Sequence, residues 1–333
     1  VGTDTLMRAP PPVPDVYVLE LAGTDDAFAA GEARRVLDDV RVFAPGLAVA
    51  STVAGLERLA FTHRASERLT QADATVRQAC AALAAATIDR RPTTAAVRAV
   101  DVRATADIDT QHAERALGDV LVECGFTIEL EEPAHELRAL FAGDQAVLGW
   151  RVGTTPRGYE QRQPTDRPFF QPGSMDPMLA RAVTNMAGVA PGDRFIDPMC
   201  GTGGILLEAA RVGARPVGLD VQPKMVQGTR ENLARVVDDP TVLRGDAGRL
   251  PLVTDAVTSV AFDTPYGRQS HIAGDLTQLV ADTLSEARRV ADRGVVVGDQ
   301  SWRAPATAAG WTVTDTFERR VHQSLTRYVL VLR

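Results

Sequence analysis

Two short stretches of this chain carry residue types that could do chemistry. In Asp197-Pro198-Met199-Cys200-Gly201-Thr202-Gly203-Gly204 an apolar run ends in an acid, glycines follow, and an apolar helix pattern opens at Ile205. Glycines let a backbone approach a ligand closely, and the first turn of a helix offers free N–H groups and the positive end of its dipole. A ligand carboxylate suits that position. Leu206 stands where the dinucleotide fingerprint GxGxxG has its third glycine, so a pyrophosphate suits it less. Asp220 ends the next apolar run, and an acid about 20 residues beyond such a turn accepts the hydroxyls of a ribose. This supports a nucleoside cofactor without choosing one. Asp246, in Arg244-Gly245-Asp246-Ala247, can accept from an adenine amine or cap the following turn.

The second stretch is Phe262-Asp263-Thr264-Pro265-Tyr266-Gly267. The exocyclic amine of a nucleobase is a poor nucleophile, because its lone pair is delocalised into the ring. A carboxylate at Asp263 and the Thr264 carbonyl can accept its two N–H groups and draw the nitrogen toward tetrahedral geometry, its lone pair aimed at an electrophile. Tyr266 can stack on the base, and Pro265 stiffens the turn.

These residues need a scaffold, and the hydropathy pattern supplies one. Strand patterns at Phe195 to Asp197, Val217 to Asp220, Val242 to Arg244, Val257 to Asp263 and Gly294 to Gly298 alternate with helix patterns, which predicts a parallel, doubly wound sheet. Trp311 to His322 and Leu325 to Arg333, joined at Gln323-Ser324, predict a closing antiparallel hairpin. That hairpin is usual in S-adenosylmethionine-dependent methyltransferases and unusual in nicotinamide dehydrogenases. A helix capped by Ser174 precedes the sheet. Upstream, a strand at Tyr17 to Leu21, a helix from Asp26 to Val40 and a strand at Leu47 to Val53 suggest one α+β unit. A helix over Gln71 to Ala86, alternation at Val97 to Arg103, a helix over Asp109 to Cys124 and strands around Gly143-Asp144 suggest a second. The expected division is a flexible leader (1–14), an N-terminal domain (15–65), a second domain (66–153), a proline-rich ordered connection (154–172) and the parallel-sheet domain (173–333).

Composition narrows the classes. With 333 residues, 45% apolar and 24% charged, the chain can bury two or three cores and is neither disordered nor a small stapled scaffold. Three cysteines without CxxC spacing and five scattered histidines argue against a disulfide framework or a metal site. Neither a signal peptide nor a membrane-length apolar run is visible, so a soluble cytoplasmic protein is expected. The net charge is −7, with the acid excess confined to residues 1–165, and Lys224 is the single lysine. An RNA contact would therefore need a placed arginine cluster; Arg90-Arg91, Arg98, Arg103 and the arginines from Arg157 to Arg167 are candidates.

The Asp263 stretch is similar to the Asp-Pro-Pro-Tyr box of amino-group methyltransferases, with Thr264 in place of the first proline. The run from Arg162 to Met175, with Ala180-Arg181-Ala182 and Asn185, resembles the lead-in to the catalytic domain of archaeal tRNA guanine-10 N2-methyltransferases. Leu56 to Arg64 and Glu114 to Gly118 resemble the same family. The resemblance implies a Rossmann-like methyltransferase domain preceded by ferredoxin-like and THUMP RNA-binding domains. It implies S-adenosylmethionine as donor and the N2 amine of a tRNA guanine as acceptor, with one or two methyls added. Asp263, Thr264, Pro265 and Tyr266 would hold the guanine. Asp197, Gly201, Gly203, Asp220 and Asp246 would hold the cofactor, with Gln171, Pro172 and Gly173 closing over its methionine end. Family members often pair with a small zinc-containing activator protein. A DNA amino-methyltransferase shares the Asp263 box, and a degenerate, non-catalytic RNA-binding protein is a further alternative.

Overall fold

Strand-forming residues fall into two blocks, and each block builds its own sheet. The structure, a computed structural model, describes residues 16–266, 273–322 and 325–333. The leader expected over 1–14, Gly267 and the turn Gln323-Ser324 lie outside them. The chain divides into two units: one holds the described residues up to Asp26 with Leu37–Ala54 and His63–Thr154, the other Ala27–Val36, Gly55–Thr62 and Thr155–Arg333.

In chain order the first elements are β1 (Tyr17–Leu21), α1 (Asp26–Ala33), β2 (Arg41–Ala44), β3 (Leu47–Ala50), β4 (Thr62–Asp73), α2 (Val76–Ala85), β5 (Thr94–Asp101), α3 (Thr110–Glu123), β6 (Thr127–Ile128), β7 (His135–Ala142) and β8 (Gln145–Thr154). The strands make one sheet in the order β2-β3-β1-β4-β8-β7-β5-β6. Leu83 of α2 and Leu117 and Leu121 of α3 pack with Leu137, Phe141 and Trp150 of the sheet. Within the sheet Arg138 grips Glu20 through two bonds of 2.8 Å, so that both charges are paired where they are buried.

The structure groups the N-terminal half differently from the expectation. A division at residue 65 falls inside β4, which pairs with β8 from Arg64 to Asp73 and neighbours β1 on its other edge, so the ladder is continuous across it. β4 is largely polar and carries little alternation, which hides it from a periodicity reading. It also runs through Gln71, so α2 starts only at Val76, where the Thr75 hydroxyl accepts from the Gln78 N–H. α1 ends at Ala33 rather than Val40, because Asp38 and Asp39 turn the chain by bonding to Thr52 and Ser51.

The second unit contains α4 (Pro177–Met186), β9 (Arg194–Asp197), α5 (Gly204–Val212), β10 (Arg215–Asp220), α6 (Pro223–Leu233), β11 (Thr241–Arg244), β12 (Ser259–Asp263), α7 (Ala273–Val290), β13 (Gly294–Gly298), α8 (Arg303–Ala308), β14 (Val313–His322) and β15 (Leu325–Leu332). Its sheet runs β11-β10-β9-β12-β13-β15-β14. β11 through β13 are parallel, and β15 lies antiparallel between β13 and β14. This is the expected Rossmann-like methyltransferase sheet with its terminal hairpin. Val260, Phe262, Val296 and Leu330 fill one face against Val280 and Leu284 of α7.

Ala27–Val36 and Gly55–Thr62 group with this unit. Phe28 meets Phe61 and Phe317 edge to face at 5.0 and 5.4 Å, and the buried Glu32 carboxylate accepts from the N–H groups of Ala60 and Phe61 and from the Asn185 amide. No α4 cap comes from Ser174. Asp176 caps it, accepting from Met178 and Leu179, while the Ser174 hydroxyl donates to the Gln171 carbonyl. Among the described residues no helix is long and apolar enough to cross a membrane.

Candidate active site

Because β9, β10 and β12 run parallel, their last residues Asp197, Asp220 and Asp263 arrive at the same edge of the sheet. A cavity of about 520 Å³ opens there. Its wall includes Gln171, Pro172, Gly173, Asp197, Gly201, Asp220, Asp246, Asp263, Thr264, Pro265 and Tyr266. Of the residues expected to hold the cofactor or the base only Gly203 is missing from that wall. It has φ 78° at the start of α5, and a Cβ there would sit 2.8 Å from the Thr229 methyl, so this glycine makes the turn possible rather than lining the cavity.

Two polar residues of α6 hold the turn in place. The Thr229 hydroxyl donates to the Gly201 carbonyl at 2.6 Å. Asn232 accepts from the Phe169 N–H at 3.0 Å and donates to the carbonyls of Phe169 and Thr202, each at 2.9 Å. The lead-in segment is thereby clamped to the glycine turn. Sequence reasoning missed both; their only signal is two polar residues three apart on the buried face of a helix.

Asp220 accepts from the N–H groups of Gly201 and Gln222 at 3.0 and 2.9 Å, and Asp197 accepts from Met199 at 3.0 Å. Asp246 both caps its turn, accepting from Gly248 at 2.9 Å, and borders the cavity. Burial pushes the Asp197 carboxyl well above the usual range, and Asp263 and Asp220 push it further. Burial also raises Asp220, against the pull of its N–H partners. Three carboxylates in one low-dielectric pocket favour a ligand that brings positive charge. Met175, Met199, Ile205, Val221, Met225 and Leu279 supply apolar wall beside them.

At the far rim the Tyr266 hydroxyl lies 2.7 and 2.9 Å from the two Asp263 oxygens and donates to that carboxylate. It accepts from Arg327 Nε at 2.8 Å. Arg327 Nη2 is 3.6 Å from Asp263 and donates to the Gly173 carbonyl at 3.4 Å. Burial raises the Asp263 carboxyl, Arg327 and the Tyr266 hydroxyl pull it back, and Asp299 opposes them. Arg327 belongs to the hairpin, some sixty positions after the motif it serves, and no local pattern marks it. Thr264 is 2% exposed; its N–H donates to the Val297 carbonyl at 2.9 Å and its hydroxyl accepts from Trp302 Nε1 at 3.2 Å. The turn that lacks its first proline is thus pinned by two hydrogen bonds instead.

Residues 164–329 match the profile of the RMKL-like methyltransferase domain family. The tRNA (guanine(10)-N2)-dimethyltransferase of Methanothermobacter thermautotrophicus is 36% identical over 234 residues, 68% of this chain and 69% of the relative. The chain belongs to this dimethyltransferase family. Its Pyrococcus abyssi member is 28% identical over 67% of this chain and 69% of its own length. Among solved structures, TrmN from Thermus thermophilus is 21% identical with a TM-score of 0.50, covering 96% of this chain and 99% of that one. SMU.472, a putative methyltransferase solved with SAH, is 13% identical with a TM-score of 0.50, over 95% and 97%. These two likenesses bear on the fold, which is that of the class I methyltransferases.

Proposed function

We propose that this chain transfers methyl groups from S-adenosylmethionine to the exocyclic N2 amine of a guanine in tRNA, guanine 10 being the position named for its family. The observation that carries the reading is the placement of the Asp263 carboxylate, the Thr264 peptide and the Tyr266 ring on the rim of the cavity that Asp197, Gly201 and Asp220 line.

The cavity suits the donor in size and chemistry. Its volume lies within the roughly 300–1,000 Å³ usual for small-molecule sites. Asp220 would accept from ribose hydroxyls and Asp246 from an adenine amine, and the N-terminus of α5 would suit the cofactor's carboxylate. When bound, the cofactor supplies a methyl group on a cationic sulfur, which the carboxylates favour electrostatically. Gln171, Pro172 and Gly173 would cover its methionine end.

Asp263 and the Thr264 carbonyl accept the two amine N–H groups, and Tyr266 orients the base. Fixed acceptors of this kind act most strongly as positive charge develops on the nitrogen. The Asp263 carboxylate then holds the proton that leaves it. One N–H remains after the first transfer and can still be accepted, so the site allows a second methyl. The chain ahead of the parallel-sheet domain would supply the RNA-binding part of a cytoplasmic enzyme, with ferredoxin-like and THUMP portions read from the family resemblance over residues 15–65 and 66–153. Within that stretch Ala27–Val36 and Gly55–Thr62 pack with the second unit.

The test is mass spectrometry of nucleosides from unmodified tRNA incubated with enzyme and labelled donor, with and without a small zinc-containing activator. N2-methylguanosine or N2,N2-dimethylguanosine is expected. Methylation of duplex DNA alone, or no labelled nucleoside under either condition, would overturn the reading.

A further inference from the structure

The arginines of the described residues differ in how well they are matched by acid. Arg90 pairs with Glu67 at 2.6 Å, Arg103 grips Asp26 at 2.5 and 3.1 Å, and Arg98 donates to the Leu130 carbonyl at 2.6 Å. Those candidates for RNA contact already have partners inside the first unit. A group in the second unit is oversupplied. Arg162, Arg181 and Arg211 lie 3.2, 2.9 and 3.9 Å from a single carboxylate, Glu208, which is 2% exposed.

Arg58 adds a fourth guanidinium. Its Nη2 donates to the Val189 carbonyl, while its Nε is buried without a hydrogen-bond partner; the Nε of Arg162 is the atom that faces Glu208. Burial lowers the pKa of both groups, and Arg181 lowers each of them further. Glu57 and Asp193 pull Arg58 the other way, as Glu208 does Arg162, so burial is the leading cause of both shifts. The four guanidiniums line a cavity of about 600 Å³ in which Glu57 is the sole lining acid among the described residues. Counting Glu208 behind them, four guanidiniums meet two carboxylates at the cavity, while Asp193 also acts on Arg58 and Glu32 on Arg181, in a chain whose net charge is −7. Arg211 and Val212 end α5, and that helix begins beside the cofactor cavity, so its nine residues set the two cavities about 13 Å apart.

We propose that this arginine cavity is an oxyanion site that receives a backbone phosphate of the RNA whose guanine enters the cofactor cavity. Guanidinium forks match phosphate oxygens bidentately, and the four that line the cavity share few carboxylates, with Arg58 Nε left without a partner in the protein. The identity of the RNA rests on the methyltransferase reading above; the anion site does not. A phosphate could come from RNA or be free in solution, and the two sources separate experimentally.

The probe is full-length Arg58→Gln/Arg211→Gln protein. Arg181 is left intact because its loss would strand the buried Glu208 charge. Binding to tRNA is followed by fluorescence anisotropy across a salt series, and to inorganic phosphate by calorimetry without RNA. S-adenosylmethionine affinity and Tm report folding, and Arg58→Lys/Arg211→Lys reports recovery of charge. The expected result is tRNA affinity about tenfold weaker at low salt, with the slope of log K against log[salt] shallower by about 0.7–0.9 per lost phosphate contact. Methylation should show a raised KM with unchanged kcat, and the lysine variant should recover most of the affinity. Unchanged tRNA affinity and slope would overturn the proposal. Loss of phosphate binding with tRNA binding intact would also overturn it, assigning the cavity to free phosphate. Arginine-dependent tRNA binding without methylation of any nucleoside would uphold the site and overturn the methyltransferase reading instead.

Discussion

The Tyr266 hydroxyl donates to the Asp263 carboxylate at 2.7 and 2.9 Å, so the phenol occupies the acceptors that an incoming amine needs. Arg327 holds the phenol there. An amine that takes up the carboxylate must displace the hydroxyl, while the ring remains useful for stacking. Tyr266→Phe is therefore expected to keep most of the activity, with RNA KM unchanged or lower. Tyr266→Ala removes the ring and should lose about 5- to 150-fold in kcat/KM, the range that base–aromatic stacking of about 1–3 kcal/mol supports. Steady-state kinetics on tRNA distinguishes the two; equal losses would mean that the hydroxyl, not the ring, matters.

Arg327 faces Asp263 together with Tyr266, while Asp197 from β9 and Asp299 after β13 add negative charge nearby. Removing the guanidinium takes away the pull that opposes burial, so the Asp263 pKa should rise. For Arg327→Met the acid limb of the kcat/KM profile is expected to move to higher pH, and Arg327→Lys should move it less. An unmoved limb in both would separate Arg327 from the ionisation of Asp263.

Restoring the commoner proline at position 264 should weaken the protein. Thr264→Pro removes the N–H that bonds Val297 and orphans the Trp302 indole N–H, each a buried group whose loss of a partner costs about 1–3 kcal/mol. Thr264→Ser keeps both bonds. Thermal unfolding should place serine near wild type and proline clearly below it; a proline variant at or above wild-type Tm would contradict the pinning described for this turn.

Asp197 gives a signed pH effect. Its carboxyl is raised well above 3.8 by burial, so folding takes up a proton there. The stability this group contributes is fully present below the unfolded value and fades as pH rises through the folded one. Asp197→Asn keeps an oxygen to accept from Met199 and has nothing to titrate. Without cofactor, the Tm of the asparagine variant relative to wild type should climb as pH rises from about 4 toward neutrality. Its affinity for the cationic donor should fall. A Tm difference that is flat with pH would mean Asp197 is ionised throughout.

Much of this was legible because parallel strands of an α/β sheet bring their carboxyl ends together, so acids at the ends of Phe195–Asp197, Val217–Asp220 and Val257–Asp263 had to converge. Local chemistry showed where Asp197, Asp220, Asp246 and Asp263 fall. What supports them was not legible, since Asn232, Trp302 and Arg327 act across the fold and look like ordinary helix, loop and strand residues. β4 escaped because its polar residues show no clean alternation, and the assignment of Gly55–Thr62 to the second unit rests on packing of Phe61 and backbone bonds to Glu32, which no spacing rule encodes.

The central claim is that Asp263 serves the transfer step and not the binding of the cofactor. Asp263→Ala protein should be titrated with S-adenosylmethionine and, in parallel, assayed for N2-methylguanosine in tRNA. A donor affinity within about threefold of wild type, with transfer reduced by about a thousandfold or more, is the predicted result. Parallel loss of binding and transfer, or transfer retained without the carboxylate, would contradict it.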